Sequence, residues 1–402
     1  MWPPLAQPPH AALPYRQYIP EHHAAVDEPG TSHAFHHQFV EAGGRGQPPN
    51  SMLRRIPAPG FYLPPPPDRP ALGHDGRPLM GMFYEGSIAL PTVRTGMGPS
   101  HTFTVLHSID ERQLSGVGMS LGVHLVRNQV SGKELVAKII STSDSVRTER
   151  AVAEVNALVH VREAGGALNV NFLVEHLFDD ASKTCILIVE HCTAGTIWKE
   201  TLAAMQHHEP FQEAFVWHVL SGLAKALSMT HYGINADNPA VRSQDWNCIY
   251  HRDIKPGNIF LTDRQQIGVY PRIVLGDFGC AVTRRDIETG IADKAAQAHG
   301  TVGWFPPERF PSHGGPRHRW GKATDIWQSG AVVQTMCRLI LQPDIRFVEQ
   351  GDVCGQYYSK ELNSLVGSMM DVNPVKRPDA VGLMTAVRTE MHKRGLDVYQ
   401  IV

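Results

Sequence analysis

Cysteine is scarce in this sequence, net charge is almost absent, and no long apolar run interrupts it. The six cysteines among 402 residues (Cys185, Cys192, Cys248, Cys280, Cys337 and Cys354) form no C-x-x-C pair, so their spacing suggests neither a zinc site nor a disulfide framework. They read as reduced thiols, which predicts an intracellular chain, in cytoplasm or nucleus. With 37 Lys and Arg against 39 Asp and Glu, the formal charge is −2. That balance gives no electrostatic reason to expect nucleic acid or an anionic membrane as the main partner. No apolar stretch reaches the roughly 18 residues that span a bilayer. The start Met1-Trp2-Pro3-Pro4 lacks the basic residues and apolar segment of a secretory signal. Hydrophobic residues nonetheless make up 42% of the chain, enough for a packed core.

Proline is unevenly spread. Of 30 prolines, 19 fall in residues 1–100, including the run Pro64 to Pro67. Proline removes an amide donor and fixes φ, so neither helix nor sheet propagates there. Such a segment buries too little apolar surface to offset its ordering entropy, and the reading for 1–100 is a disordered Pro/His/Gly-rich tail. Its proline run favours polyproline II and could serve a reader of the SH3 or WW kind. The pairs His22-His23 and His36-His37 lack the fixed spacing or cysteine partners of a metal site.

From about residue 102 the pattern changes. Val123 to Val126 and Leu135 to Ile140 read as β-branched strands joined at Ser131-Gly132. Residues 146–162 carry Val152, Val155, Leu158 and Val159 at helical spacing. Cys185 to Val189 reads as a short buried strand, 211–232 as a long amphipathic helix, and 379–393 as a terminal helix. The expectation is an α+β fold with a small strand-rich lobe followed by a larger helical one.

The densest chemical signal is His251-Arg252-Asp253-Ile254-Lys255-Pro256-Gly257-Asn258. Moving a γ-phosphoryl group needs a carboxylate to orient the attacking hydroxyl and take its proton. It also needs oxygen ligands for Mg²⁺, because negative charge spreads over several oxygens in the transition state. Asp253 fits the first role and Asn258 part of the second, while Lys255 stands two residues from Asp253 to neutralise the transferred group. Asp277-Phe278-Gly279 follows the apolar run Ile273 to Leu275 and supplies a second magnesium ligand in Asp277. Upstream, Lys138 ends Val136-Ala137-Lys138 in a predicted strand and can reach the α- and β-phosphates of ATP. Its expected partner is Glu154 on the next helix, with Glu149 as the alternative. The run Gly116-Val117-Gly118-Met119-Ser120-Leu121-Gly122-Val123 is a phosphate-cradling candidate, with Leu121 where a third glycine is expected.

On these residues the chain resembles a eukaryotic-type protein kinase over about 101–397, with an N-lobe at about 101–190 and a C-lobe at about 193–397. Pro306-Pro307-Glu308, Asp325-Ile326-Trp327-Gln328-Ser329-Gly330 and Asn373-Pro374-Val375-Lys376-Arg377-Pro378 resemble later landmarks of that family. The resemblance implies ATP and Mg²⁺ as cofactors, a buried ion pair between Glu308 and Arg377, and a hydrophobic spine through Leu158, His251 and Phe278. It implies Gly116, Gly118, Val123 and Ala137 around the nucleotide, Val189 as gatekeeper, and Glu190 to Cys192 as the hinge. Lys255 within Asp-Ile-Lys-Pro, and Thr301 within Gly-Thr-Val-Gly-Trp contacting Asp253 and Lys255, resemble serine/threonine kinases, so the implied partner is a protein substrate. Within that group the run Ile-Lys-Pro-Gly-Asn-Ile-Phe-Leu and the insert 233–247 are similar to NIMA-related and fungal-type kinases. The alternative is a catalytically weak pseudokinase acting as a scaffold, which the displaced glycine favours. In the activation segment Gln297 stands where a phosphoacceptor is usual. Thr289 is then the expected phosphosite, and Arg252 its phosphate partner.

Overall fold

The computed structural model describes residues 88–89, 102–109, 120–236, 245–262, 270–289, 300–310 and 321–396. The disorder reading for 1–100, Gly116 and Gly118, and Gln297 lie outside the described residues, apart from a two-residue strand at Ile88–Ala89 (β1). Strands β2 (Thr102–Ser108), β3 (Ser120–Asn128), β4 (Glu134–Ser141), β5 (Leu173–Asp179) and β6 (Thr184–Glu190) join β1 in one antiparallel sheet, ordered β1-β2-β3-β4-β6-β5. The β3–β4 hairpin closes where Asn128 Oδ1 accepts from the amides of Val130 and Ser131, both at 2.9 Å. Gly132 completes the turn at φ 70°, a conformation open to glycine without steric cost.

Side-chain alternation gives the sheet two uses. Leu135, Ala137 and Ile139 of β4 pack with Phe103, Val126, Ile186 and Ile188 in a small outer core. Val136 and Lys138 therefore face the other way, towards helix α1 (Ser145–Glu163) and the helical lobe. Asp144 caps α1, accepting the Arg147 amide at 2.9 Å. Its buried face carries Ala151, Glu154, Val155, Ala157, Leu158 and Val161. Val152, expected in that face, is 39% exposed: each residue turns about 100°, which carries it past Ala151 to the solvent edge. A carboxylate on an otherwise apolar face, as at Glu154, breaks the pattern rule in the way functional residues do.

The helical lobe is built around α3 (Glu213–Tyr232), whose Trp217, Leu220, Leu223 and Leu227 are fully buried. Helices α2 (Ile197–His207), α5 (Lys322–Arg338), α6 (Ile345–Glu349), α7 (Lys360–Met369) and α8 (Ala380–Lys393) complete it, with α5 and α8 packed on α3. At Gly222 a methyl group would meet the Ile273 side chain at 2.5 Å, so only glycine lets α3 approach the strand there. Two short ladders position the site. Strand β7 (Ile249–Tyr250) pairs with β10 (Val282–Thr283), and β8 (Ile259–Leu261) with β9 (Ile273–Leu275). The loop 251–258 is held between β7 and β8, and Asp277 emerges just after β9. Among the described residues no helix is long and apolar enough to cross a membrane.

Candidate active site

Lys138, Glu154 and Asp277 come from a strand, a helix and a loop and meet at one ammonium. Lys138 Nζ donates to Glu154 Oε1 at 2.7 Å and Oε2 at 3.0 Å, and to Asp277 Oδ1 at 2.7 Å. Lys138 thus pairs with Glu154 and not with Glu149. Burial alone would lower the Lys138 pKa, but the Asp277 and Glu154 carboxylates outweigh it and raise the value. Lys138 in turn holds Asp277 below the usual carboxylate range, against burial. Burial pushes the Glu154 carboxyl up, against the pull of Lys138. Contacts from both of its oxygens to one ammonium favour the ionised form, and we take the pair as charged.

Asp253 is the second focus. Its Oδ1 accepts from the Thr301 amide and hydroxyl, both at 2.9 Å. Lys255 Nζ donates to Asp253 Oδ2 at 2.9 Å and to Thr301 Oγ1 at 2.6 Å. Asn258 Nδ2 donates to the Asp253 carbonyl at 2.8 Å. The carboxylate expected to be the base, the lysine expected to neutralise charge and the threonine of the following loop therefore share one hydrogen-bonded cluster.

What holds this cluster is a buried carboxylate on α5 whose role the sequence did not reveal. Asp325 accepts the His251 amide and the His231 ring at Oδ2 and the Arg252 amide at Oδ1, each at 2.9 Å. These bonds fix the backbone entering Asp253, where Arg252 sits at φ 68°, a left-handed conformation that non-glycine residues adopt only under constraint. His251 donates through Nε2 to the Gly276 carbonyl at 3.0 Å and accepts the Asp253 amide at Nδ1, 3.3 Å. Its ring meets Phe278 edge-on at 4.7 Å between centroids, and Leu158 and Phe278 both belong to the main core.

Burial lowers the pKa of His251 and of His218, whose Nε2 bonds the Pro271 carbonyl at 2.8 Å. An unfolded histidine titrates near about 6.5. Below that pH the unfolded chain takes up protons that the folded chain refuses, so stability falls with pH. The melting temperature is expected to drop steadily from pH 7.5 to 5.5; a flat profile over that range would contradict neutral, buried His251 and His218.

The nucleotide side requires one correction. Lys138 pairs across β3–β4 with Val123 and across β4–β6 with Leu187, while Val136 pairs with Val189. Directly opposed residues share a face, so Val123, Val136, Lys138 and Val189 lie on one side. Ala137 belongs to the outer core, and Val136 takes the place expected of it. At the hinge, Glu190 donates its amide to the Phe172 carbonyl at 2.9 Å, and its side chain pairs with Arg272. The Glu190 amide is thereby engaged within the protein. Burial pushes the thiols of Cys192 and Cys280 up to about 12 and about 11, which suits packing and not reactivity.

The donor set suits magnesium carried by phosphates. Asp277 presents a carboxylate with 43% of its side chain exposed. Asn258 commits its amide nitrogen to Asp253 and, among the described residues, leaves Oδ1 for a cation. No group of three His, Cys, Asp or Glu among the described residues could hold a metal unaided.

Beyond β10, a short helix α4 (Arg284–Glu288) is capped by Thr283, which accepts the Asp286 amide at 3.2 Å and donates to Asp286 Oδ2 at 2.7 Å. Thr289 donates to the Arg285 carbonyl at 2.8 Å at the other end. A phosphate on Thr289 would place negative charge on the carbonyl end of α4 and unwind it. Arg252 is buried, donates from Nε to the Cys280 carbonyl at 2.5 Å, and has its pKa lowered by burial to about 10, so it stays charged at neutral pH.

A strand-rich lobe and a helical lobe that bring a lysine–glutamate pair, an Asp-Phe-Gly carboxylate and a His-Arg-Asp loop together define a phosphoryl-transfer fold. The sequence pattern of the protein kinase domain matches residues 110–387, over half of the chain, and the chain belongs to that family. It is 26% identical to the human serine/threonine-protein kinase Nek2, covering 63% of this chain and 53% of that protein. A probable serine/threonine-protein kinase nek2 of Dictyostelium discoideum is 25% identical, with 69% and 62% covered. The G2-specific protein kinase nimA of Emericella nidulans is 27% identical, with 62% and 36% covered. These relatives are of the NIMA-related group that the motifs resemble, and the chain spans 36 to 62% of their length.

Proposed function

We propose that the chain transfers the γ-phosphoryl group of ATP to serine or threonine hydroxyls of a protein substrate, with Asp253 as catalytic base. The observation that carries this reading is the convergence on Asp253 of Lys255, Thr301 and Asn258. Asp253 orients the acceptor hydroxyl and takes its proton as the oxygen attacks phosphorus. Lys255 balances the negative charge that develops beside it. Lys138, held by Glu154, grips the α- and β-phosphates, and its pairing keeps the ammonium placed before nucleotide arrives. Magnesium bound by Asp277 and Asn258 Oδ1 would spread and neutralise phosphate charge. Thr301 ties the following loop, against which the substrate chain would lie, to the base.

The scaffold alternative rests on the displaced glycine. Against it, Leu121 at that position is 47% exposed, and the presence together of Lys138, Glu154, Asp253, Asn258 and Asp277 supports transfer. The relatives' serine/threonine names and the Lys255–Thr301 contact support the acceptor type. An SH3- or WW-type reader for the tail and an intracellular location remain part of the proposal, supported by composition alone. Calorimetric titration of ATP tests the nucleotide half: binding that strengthens with magnesium, and loses that dependence in Asp277→Asn, is expected. Absence of any magnesium-dependent binding by the wild type would favour the scaffold.

A further inference from the structure

Gln328 stands one helical turn beyond Asp325 on α5 and is fully buried. Its Oε1 accepts the Ile254 amide at 3.1 Å, and its Nε2 donates to the Arg252 carbonyl at 3.1 Å. These two peptide groups flank Asp253. The same Nε2 donates to the Trp304 carbonyl, also at 3.1 Å. Trp304 closes the short turn that starts at Thr301, with its own amide bonded to the Thr301 carbonyl at 2.8 Å. One side chain therefore bonds the loop bearing Asp253 and the loop bearing Thr301 at once.

Side-chain chemistry explains why glutamine serves here. A primary amide offers an acceptor and two donor hydrogens about 2 Å apart, matching one peptide N–H and two carbonyls. A hydroxyl of serine length reaches neither loop, and a carboxylate would face two carbonyl oxygens with no hydrogen to share. Residues i and i+3 of a helix lie on one face. Asp325 and Gln328 thus engage the catalytic loop from the same side, Asp325 at the amides of 251 and 252, Gln328 at the carbonyl of 252 and the amide of 254. Both peptide groups of the left-handed Arg252 are secured in this way.

We infer that Gln328 is a positioning residue that locks the Asp253 loop to the Thr301 loop, so that the base and the wall facing the peptide acceptor keep one fixed relation. The inference rests on the phosphoryl-transfer reading for its kinetic consequence but not for its structural one. Without the clamp the loops stay tied at Thr301 by Asp253 and Lys255, but the backbone at 252–254 and at Trp304 loses its shared anchor, and displacement of about 1 Å at reacting groups costs on the order of a hundredfold in rate. Lys138, Glu154 and the nucleotide face lie on other elements and are untouched.

Two variants test it in the full chain, Gln328→Met, which keeps volume and removes all three bonds, and Gln328→Glu, which keeps the acceptor and removes the donors. With a generic Ser/Thr peptide, kcat/KM for peptide is expected to fall about 10- to 100-fold, with the KM for ATP within about twofold of wild type. Hydrogen exchange read by mass spectrometry is expected to rise in the segments 251–258 and 300–306, with α3 and α8 unchanged. Equal rises in the two KM values, or a loss that follows the unfolded fraction, would overturn the positioning role. Should the wild type transfer no phosphate, the functional reading fails, and exchange still decides the clamp: unchanged protection of both segments in Gln328→Met would refute it.

Discussion

Asp253→Asn is expected to lower turnover by about two to four orders of magnitude while leaving the KM for ATP nearly unchanged. Asparagine has the same size and can still accept at one oxygen from the Thr301 amide and hydroxyl, which hold Oδ1 at 2.9 Å. What it cannot do is take a proton. It also removes the negative partner of Lys255, now 2.9 Å from Oδ2. In the proposed mechanism ATP is held by Lys138, which Glu154 positions, and by the β3–β4 face, so its affinity is not expected to depend on the exchange. Steady-state kinetics over ATP and peptide concentrations separates these terms. Turnover within tenfold of wild type would remove Asp253 from the role of base.

Removing Glu308 is expected to cost the fold about 3–5 kcal/mol, a fall in melting temperature on the order of 10 °C. Arg377 NH1 and NH2 donate to Glu308 Oε1 and Oε2, each at 2.7 Å, and the Arg377 side chain is fully shielded from solvent. Two further bonds, to the carbonyls of Asp371 at 2.8 Å and Ala323 at 2.9 Å, fix the guanidinium between the end of the activation segment, the start of α5 and the loop before α8. Glu308→Ala leaves that cation buried with no anion. The double variant Glu308→Ala, Arg377→Met leaves no charge uncompensated and is expected to be more stable than Glu308→Ala alone. Thermal melts of the three proteins check this; a double variant that melts lower than the single one would show that packing and not charge governs the contact.

The parts of the site legible in the sequence are those whose geometry follows from short spacing. Asp253, Lys255 and Asn258 lie in one loop, and Asp277 follows a three-residue strand, so their proximity needed little tertiary knowledge. Lys138 and Glu154 required more: a strand and a helix had to face each other, and the apolar neighbours Val155 and Leu158 indicated that face. The Ala137 assignment fails because a strand turns adjacent residues to opposite faces, so nearness in sequence to Lys138 is not nearness in the site. Counting by two from Lys138 would have found Val136. Asp325 and Gln328 stand in the run 325–330 that resembles a family landmark, but nothing local says what their side chains bond. Their importance lies in bonds to a loop over 70 positions away, and a polar residue on a buried helix face shows what it serves only once the opposing backbone is in place. The Arg272–Glu190 strut between hinge and β9 was hidden for the same reason.

The most direct test of the central claim is transfer of the labelled γ-phosphate of ATP, with magnesium, to a mixed peptide substrate carrying serine, threonine and tyrosine, followed by phosphoamino-acid analysis. The structure predicts label on serine and threonine, abolished in Asp253→Asn and in Lys138→Met. Magnesium-dependent nucleotide binding by the wild type without label on any hydroxyl, across varied peptides, would contradict the claim and leave the chain a nucleotide-binding scaffold.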